Sequence, residues 1–426
     1  MTTFDIDWVR SQFPALAMQT NGSPAAFFDG PGGTQVPQRV IDAITAYLAS
    51  SNANTHGAFA TSQRSDQVLA AAHAAMADLL GCDPQEIVFG PNMTSLTFAL
   101  SRAVGRELAP GDEIVVTRLD HDANVSPWTA LEERGCVIRW VDINPTDCTL
   151  DMDDLRRQLT PRTRVVAVGY ASNSVGTIND VQEVVRLAHA AGAIAYIDAV
   201  HYAPHGPIDV RSLDCDFLVC SPYKFFGPHS GALYGKREHL TRLRPYKVRP
   251  AANVPPDRWE TGTQNHEGLA GVTAAVDYLA ELGQRHAPEA RGRRAAILAA
   301  YGAIHAYEQS LVERLVPGLL GIPGLTFYGI TDPARFSRRV PTVAVRMAGR
   351  TPRELAKHLA ERGIFAWDGN YYALNLSERL GVEPTGGMLR IGLVHYNTAG
   401  EVDRLLAALR ELAPNAQAER GKQQLL

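Results

Sequence analysis

Asp216-Phe-Leu-Val-Cys-Ser-Pro-Tyr-Lys224-Phe-Phe-Gly-Pro-His-Ser-Gly-Ala-Leu-Tyr-Gly235 sets a single lysine between two apolar runs. Phe217 to Cys220 reads as a buried strand, and Ala232 to Tyr234 as a second strand leaving a turn rich in Gly and Pro. A lysine in such a place usually snorkels to solvent. Here Pro222, Gly227 and Pro228 stiffen the connection, and the preceding apolar run, Ala193 to His201, carries a carboxylate at Asp198. An apolar setting lowers a lysine's pKa and frees its amine to form a Schiff base.

A lysine of that kind and an acid that keeps a pyridine nitrogen protonated are the two halves of a pyridoxal phosphate site. Asp198-Ala-Val-His201, followed by Ser221-Pro-Tyr-Lys224, resembles the class V aminotransferase family, which includes cysteine desulfurases and isopenicillin N epimerase. The similarity runs from Phe27-Phe-Asp-Gly to Arg390-Ile-Gly-Leu-Val-His-Tyr-Asn397. It implies pyridoxal 5'-phosphate as cofactor and an aspartate-aminotransferase-like α/β fold. That fold has a large domain with a mostly parallel seven-stranded sheet and a smaller α+β C-terminal domain.

Bulk properties agree with a large globular chain. Its 426 residues suffice for two domains, and 45% hydrophobic with 20% charged residues is ordinary composition. A net charge of -4 gives no argument for nucleic acid or an anionic membrane as partner. No apolar run reaches membrane-spanning length, and the N-terminus does not read as a signal peptide. Five cysteines without CxxC spacing suggest reduced thiols in a cytoplasm and no zinc site.

Along the chain, residues 1–26 form an N-terminal arm expected to pack with the small domain, with a helix from Asp5 to Phe13. Helices are expected near Pro37 to Leu48 and Ser65 to Leu80. From Glu86 strands and helices alternate, the mark of a doubly wound sheet. The expected strands are Ile87–Phe89, Glu113–Leu119, Val137–Ile143, Arg164–Tyr170, Ile194–Ala199, Phe217–Cys220 and Gly231–Gly235. Residues 27–285 make the cofactor-binding domain, and a long helix from His286 to Leu315 leads into the small domain, 286–413. Its expected strands are Leu325–Tyr328, Thr342–Met347, Ile364–Trp367 and Leu389–Leu393. The tail, 414–426, has a disordered composition.

The site residues follow from motif and resemblance together. Asn92-Met93-Thr94-Ser95 follows a strand and opens a helix, which is either a plain N-cap or a phosphate cradle. Matched to the family, Met93 and Thr94 receive the phosphate, and Ser221 adds a hydroxyl. The resemblance implies that His121 stacks on the pyridine ring, that Asn173 and His201 meet its phenolic oxygen, and that Asp198 holds its nitrogen. It places Gly33, in a glycine turn, and His56, in a polar loop, near the substrate entrance. It also implies a homodimer in which Thr263, and His56 as well, cross to the neighbouring subunit. Arg390 is the expected fork for a substrate carboxylate; Trp128, Tyr202, Trp367 and Tyr371 suggest an aromatic pocket.

One departure shapes the expected reaction. Desulfurases of the family carry a sulfur-accepting cysteine on a mobile loop, and in Trp367-Asp-Gly-Asn-Tyr-Tyr372 that place falls to Tyr372. The expectation is therefore a C–S β-lyase of a cysteine S-conjugate and not a persulfide-forming desulfurase. Transamination, racemisation and oxidative or decarboxylating deamination stand as alternatives, with a non-catalytic paralogue behind them.

Overall fold

A computed structural model describes residues 4–414. At its centre lie β1 (Ile87–Gly90), β2 (Glu113–Thr117), β3 (Val137–Val141), β4 (Thr163–Gly169), β5 (Ile194–Asp198), β6 (Phe217–Cys220) and β7 (Gly231–Gly235). They form one seven-stranded sheet in the order β1-β7-β6-β5-β4-β2-β3, and only β7 runs against its neighbours. Strands buried on both faces need continuous apolar runs, which Val165 to Val168 and Phe217 to Cys220 supply.

Helices α1 (Gln38–Ser50), α2 (Ala60–Leu80), α3 (Met93–Gly105), α4 (Val181–Ala190), α5 (His266–His286) and α6 (Arg293–Leu320) accompany the sheet. Side-chain caps fix their starts: Asn92 accepts from the Ser95 N–H at α3, and Asp180 from the Glu183 N–H at α4. A second sheet of β8 (Leu325–Tyr328), β9 (Thr342–Met347), β10 (Trp367–Gly369) and β11 (Met388–Gly392) is antiparallel in the order β8-β9-β11-β10. Helix α7 (Pro352–Glu361) packs on it, and α8 (Ala399–Glu411) packs on α6 and α7. Both helices begin with a capping box, Thr351 with Glu354 and Thr398 with Glu401.

The N-terminal segment ties the two sheets. Arg10 pairs with Glu401 at 3.0 Å, and the Phe4 ring stacks on Tyr307 at 4.3 Å. Ala26 and Phe28 join the apolar core of the second sheet.

Two expectations change. The helix expected from His286 to Leu315 starts later and runs longer, as α6 from Arg293 to Leu320, because Pro288 and Gly292 (φ 80°) keep residues 287–292 out of the helix. The strand expected at Ile364–Trp367 divides: Ile364–Phe365 pairs in parallel with Ala26–Phe27, and β10 joins β11. The tail at 415–426 lies outside the described residues. Among those described, no helix is long and apolar enough to cross a membrane.

Candidate active site

The parallel strands all end on one edge of the sheet, where open α/β folds bind ligands. A cavity of about 870 Å³ opens there, roofed by β10 and the loop after it. Met93, Thr94, His121, Asn173, Asp198, His201, Lys224, Tyr372 and Arg390 all line it. They come from seven separate segments of the chain, and the two sheets bring them together.

Lys224 is buried on the floor. Its Nζ donates to the Pro31 carbonyl and lies 4.6 Å from the centre of the Tyr223 ring. Burial, with the nearby Arg390 charge, lowers its pKa from 10.5 to about 7, against the pull of Asp198 and Asp29. Asp198 ends β5, paired across to Gly169 and Val219, and its Oδ1 accepts from the Val200 N–H at 2.9 Å. Burial raises its pKa to about 6. A cation placed against it would favour the carboxylate again.

Beside it lies a residue that motif reading missed. Asp120 takes the Gly169 N–H at 3.0 Å and the Asn124 amide at 2.9 Å. Burial, helped by the Asp198 charge, pushes it up to about 7. A lone aspartate before a histidine gives no sequence signal; only folding carries it to the β4 edge. Asp29 was missed too: its Oδ1 is buried without a partner, and burial raises its pKa to about 6.

His121 follows Asp120, and its Nδ1 accepts from the Ala123 N–H at 3.0 Å. Burial, with Lys224 and Arg390 charges behind it, lowers its pKa to about 4, so the ring is neutral. His201 is fully enclosed, its Nε2 is 3.0 Å from the Thr342 hydroxyl, and burial drives its pKa well down. Asn173 donates to the Tyr371 carbonyl at 2.9 Å and keeps Oδ1 buried and unpartnered.

Arg390, on β11, is buried at 4% exposure. One of its terminal nitrogens donates to the Asn173 carbonyl at 2.9 Å, and its guanidinium lies 4.4 Å from the centre of the Tyr371 ring. Its Nε has no partner, and it makes no ion pair among the described residues. A buried guanidinium without an anion is costly unless a ligand supplies one.

The residues fit pyridoxal phosphate. The first turn of α3 brings Met93 and Thr94 to the cavity, a positive helix end suited to phosphate. Gly231 permits this: a Cβ there would sit 2.4 Å from the Asn92 carbonyl carbon. The Ser221 hydroxyl is buried and unpartnered. With Lys224 and Asp198 on the floor, the donor set matches phosphate, aldehyde and ring nitrogen.

Four expected site residues do not line the cavity of this chain. Ser221 is buried at the end of β6 and does not line the cavity; nor does Gly33, whose neighbours Pro31 and Gly32 do. Gly33 (φ 152°) instead lets the Tyr223 ring approach to 3.3 Å of where a Cβ would stand. His56 is on the surface, its side chain 85% exposed and 3.5 Å from Asp66. Thr263 is exposed before α5. Of the four aromatics, Trp367 and Tyr371 line the cavity, whereas Trp128 is core and Tyr202 stacks on Tyr170 at 3.8 Å.

Known proteins share this sequence and fold. The family model described as Aminotransferase class-V matches residues 26–405. A cysteine desulfurase of Pectobacterium atrosepticum is 32% identical, covering 96% of this chain and 98% of its own. A probable cysteine desulfurase of Mycolicibacterium paratuberculosis is 33% identical over 96% of this chain, which spans 58% of that longer protein. The solved structure of a cysteine desulfurase from Thermococcus onnurineus superposes with a TM-score of 0.85 at 26% identity, covering 97% of this chain and 99% of that one.

These relatives overturn the expected S-conjugate β-lyase: full-length relatives and solved neighbours are named cysteine desulfurase. The expectation rested on Tyr372, which is 73% exposed at the rim. A rim residue does not decide which bond breaks; that falls to the buried floor.

Proposed function

The chain belongs to the aminotransferase class-V family of pyridoxal phosphate enzymes, and from that premise we propose that it desulfurates L-cysteine. The names of its full-length relatives support the substrate. The observation that carries the assignment of residues is the unpaired Arg390 guanidinium in the same cavity as the Lys224 amine, whose pKa is lowered to about 7.

Bound pyridoxal phosphate supplies an electron sink that labilises the bonds around the amino acid's α-carbon. Lys224 is the anchor for the cofactor's aldehyde carbon and the base that moves the α-proton, a task its lowered pKa suits. Asp198 holds a proton on the ring nitrogen. The start of α3, with Met93 and Thr94, receives the phosphate. His121, neutral here, offers an aromatic face, while Asn173 and His201 serve the ring's oxygen. Arg390 takes the substrate carboxylate through a bidentate fork and fixes which bond lies over the sink.

Residues 27–285 are the cofactor-binding domain and 286–413 the small one, with the cavity roofed by the latter. Thr263 and His56, exposed and away from the cavity, belong at the interface of a homodimer, reaching the partner's site. Five free thiols support a cytoplasmic location.

Holoenzyme given L-cysteine and a thiol reductant should release alanine. Pyruvate and ammonia without alanine would sink the desulfurase reading.

A further inference from the structure

Breaking the Cβ–S bond of cysteine leaves a sulfur atom that something must accept, and a thiol is the ordinary acceptor. None of the chain's five cysteines lines the cavity. Cys148, Cys215 and Cys220 belong to the main core and Cys136 to the core beside α3; Cys82, half-buried, packs against the former. Cys220 comes nearest in sequence to Lys224, but its side chain is fully buried at the end of β6. Burial also holds the thiols protonated, Cys148 at about 12 and Cys82, Cys215 and Cys220 higher still. Such thiols are inert towards sulfur.

Nor can the rim bring one in. The loop over the cavity is tied to the large sheet: the Tyr372 carbonyl accepts from the Asp122 N–H at 2.7 Å, and the Tyr371 carbonyl from Asn173 at 2.9 Å. Asn370 donates to Glu383 at 2.9 Å, and the Tyr371 hydroxyl to the Met388 carbonyl. No segment of that rim, 31–32, 121–126, 367–373 or 383–386, contains a cysteine.

We propose that the sulfur acceptor is a low-molecular-weight thiol that enters the cavity from solvent. This rests on the desulfurase reading above. The cavity is large for a cofactor and cysteine alone, near the top of the range of about 300–1,000 Å³ for small-molecule sites. The reacting groups lie deep, with Lys224 9% and Arg390 4% exposed, which a slim thiol reaches and a folded surface does not. In the step, the thiol's sulfur bonds to the cysteine sulfur as the Cβ–S bond breaks. The bond's electron pair stays with carbon, which takes a proton to become the methyl group of alanine. The acceptor's proton balances it, so cysteine and R–SH give alanine and R–S–SH. Carbon is reduced and the cysteine sulfur oxidised, with no outside oxidant.

The test uses holoenzyme and L-cysteine with 2-mercaptoethanol at rising concentration, measuring alanine, intact chain mass and alkylation-trapped persulfide. The expected result is alanine formed in proportion to the thiol, its persulfide in solution, and a chain of unchanged mass. With cysteine as sole thiol, cysteine persulfide is the same result. A Cys220→Ala variant should turn over like the parent. One alanine per chain in a thiol-free burst, with the chain heavier by one sulfur atom on a mapped cysteine, would overturn the proposal and leave the desulfurase reading standing. Alanine in no arm removes that reading and this inference together.

Discussion

The floor and the rim of the cavity are built on opposite terms. On the floor, Lys224, Asp198, Asp120 and Arg390 are buried on strands or just beyond them, and each has its pKa moved toward neutrality of the group by burial. On the rim, Trp367 and Tyr372 are 52% and 73% exposed, and the loop is tied to the large sheet through the Tyr371 and Tyr372 carbonyls. The difference assigns labour: side-chain chemistry at depth, where a charge is worth most, and access at the mouth, where it is worth little. Substitutions should therefore separate by depth.

The deepest test is Lys224→Ala. The variant should bind cofactor without covalent attachment, lose the visible band of the wild type, and lose turnover by several orders of magnitude. Wild-type absorbance in the variant would move the anchor elsewhere. Asp198→Ala should keep the attachment and lower turnover by roughly 10²–10³, the usual cost of removing one preorganised charge. Near-normal turnover would mean that the ring nitrogen faces another group, with Asp120 the first alternative.

That alternative marks how far the sequence could be read. All seven large-sheet strands were legible because apolar runs between helical segments have one good solution, a buried parallel sheet. Lys224, Asp198 and Arg390 were legible because charged residues stand out in apolar strands. Asp120 and Asp29 were not, since each looks like a loop carboxylate until folding buries it. The rim misled for the opposite reason: Tyr372 at the mouth of the cavity was read as excluding a desulfurase, and the relatives overturn that exclusion.

Arg390→Lys comes next in size. A lysine keeps the charge but not the fork, so KM for cysteine should rise by an amount worth roughly 1.5–3 kcal/mol, with a smaller change in kcat. If amines without a carboxylate bind the wild type as well as cysteine does, Arg390 is structural.

The apoprotein gives a titration of the floor. With Lys224 at about 7, its rate of covalent capture of added pyridoxal phosphate should rise with pH through about 7 and then level. An ordinary lysine would keep gaining to its usual 10.5. The sign for stability follows: between about 7 and 10.5 the unfolded chain still holds a proton that the folded chain has released. The unfolded state binds more protons there, so apoprotein stability should rise with pH across that window. Capture still climbing beyond pH 9 would place the amine in water rather than in the floor.

The smallest effect belongs to Tyr372, and it concerns backbone. Tyr371 and Tyr372 have φ of 56° and 60°, the left-handed region that L residues avoid. Holding a side chain there costs about 1–2 kcal/mol. Against this, the Tyr372 ring stacks on His121 at 5.4 Å, with an interplanar angle of 22°. Such a pair is worth about 0.5–1.5 kcal/mol, toward the low end when exposed. Tyr372→Gly removes the strain, loses the stack, and adds about 0.5–1 kcal/mol of unfolded-chain entropy. The three terms nearly cancel, so stability should move by less than about 1 kcal/mol. Tyr372→Ala loses the stack and keeps the strain, so it should be the less stable of the two. Thermal unfolding of the parent and both variants decides the matter. An alanine variant as stable as the glycine one would mean that the rim is not held left-handed, and the contrast between a floor made by side chains and a rim made by backbone would fail at its weaker end.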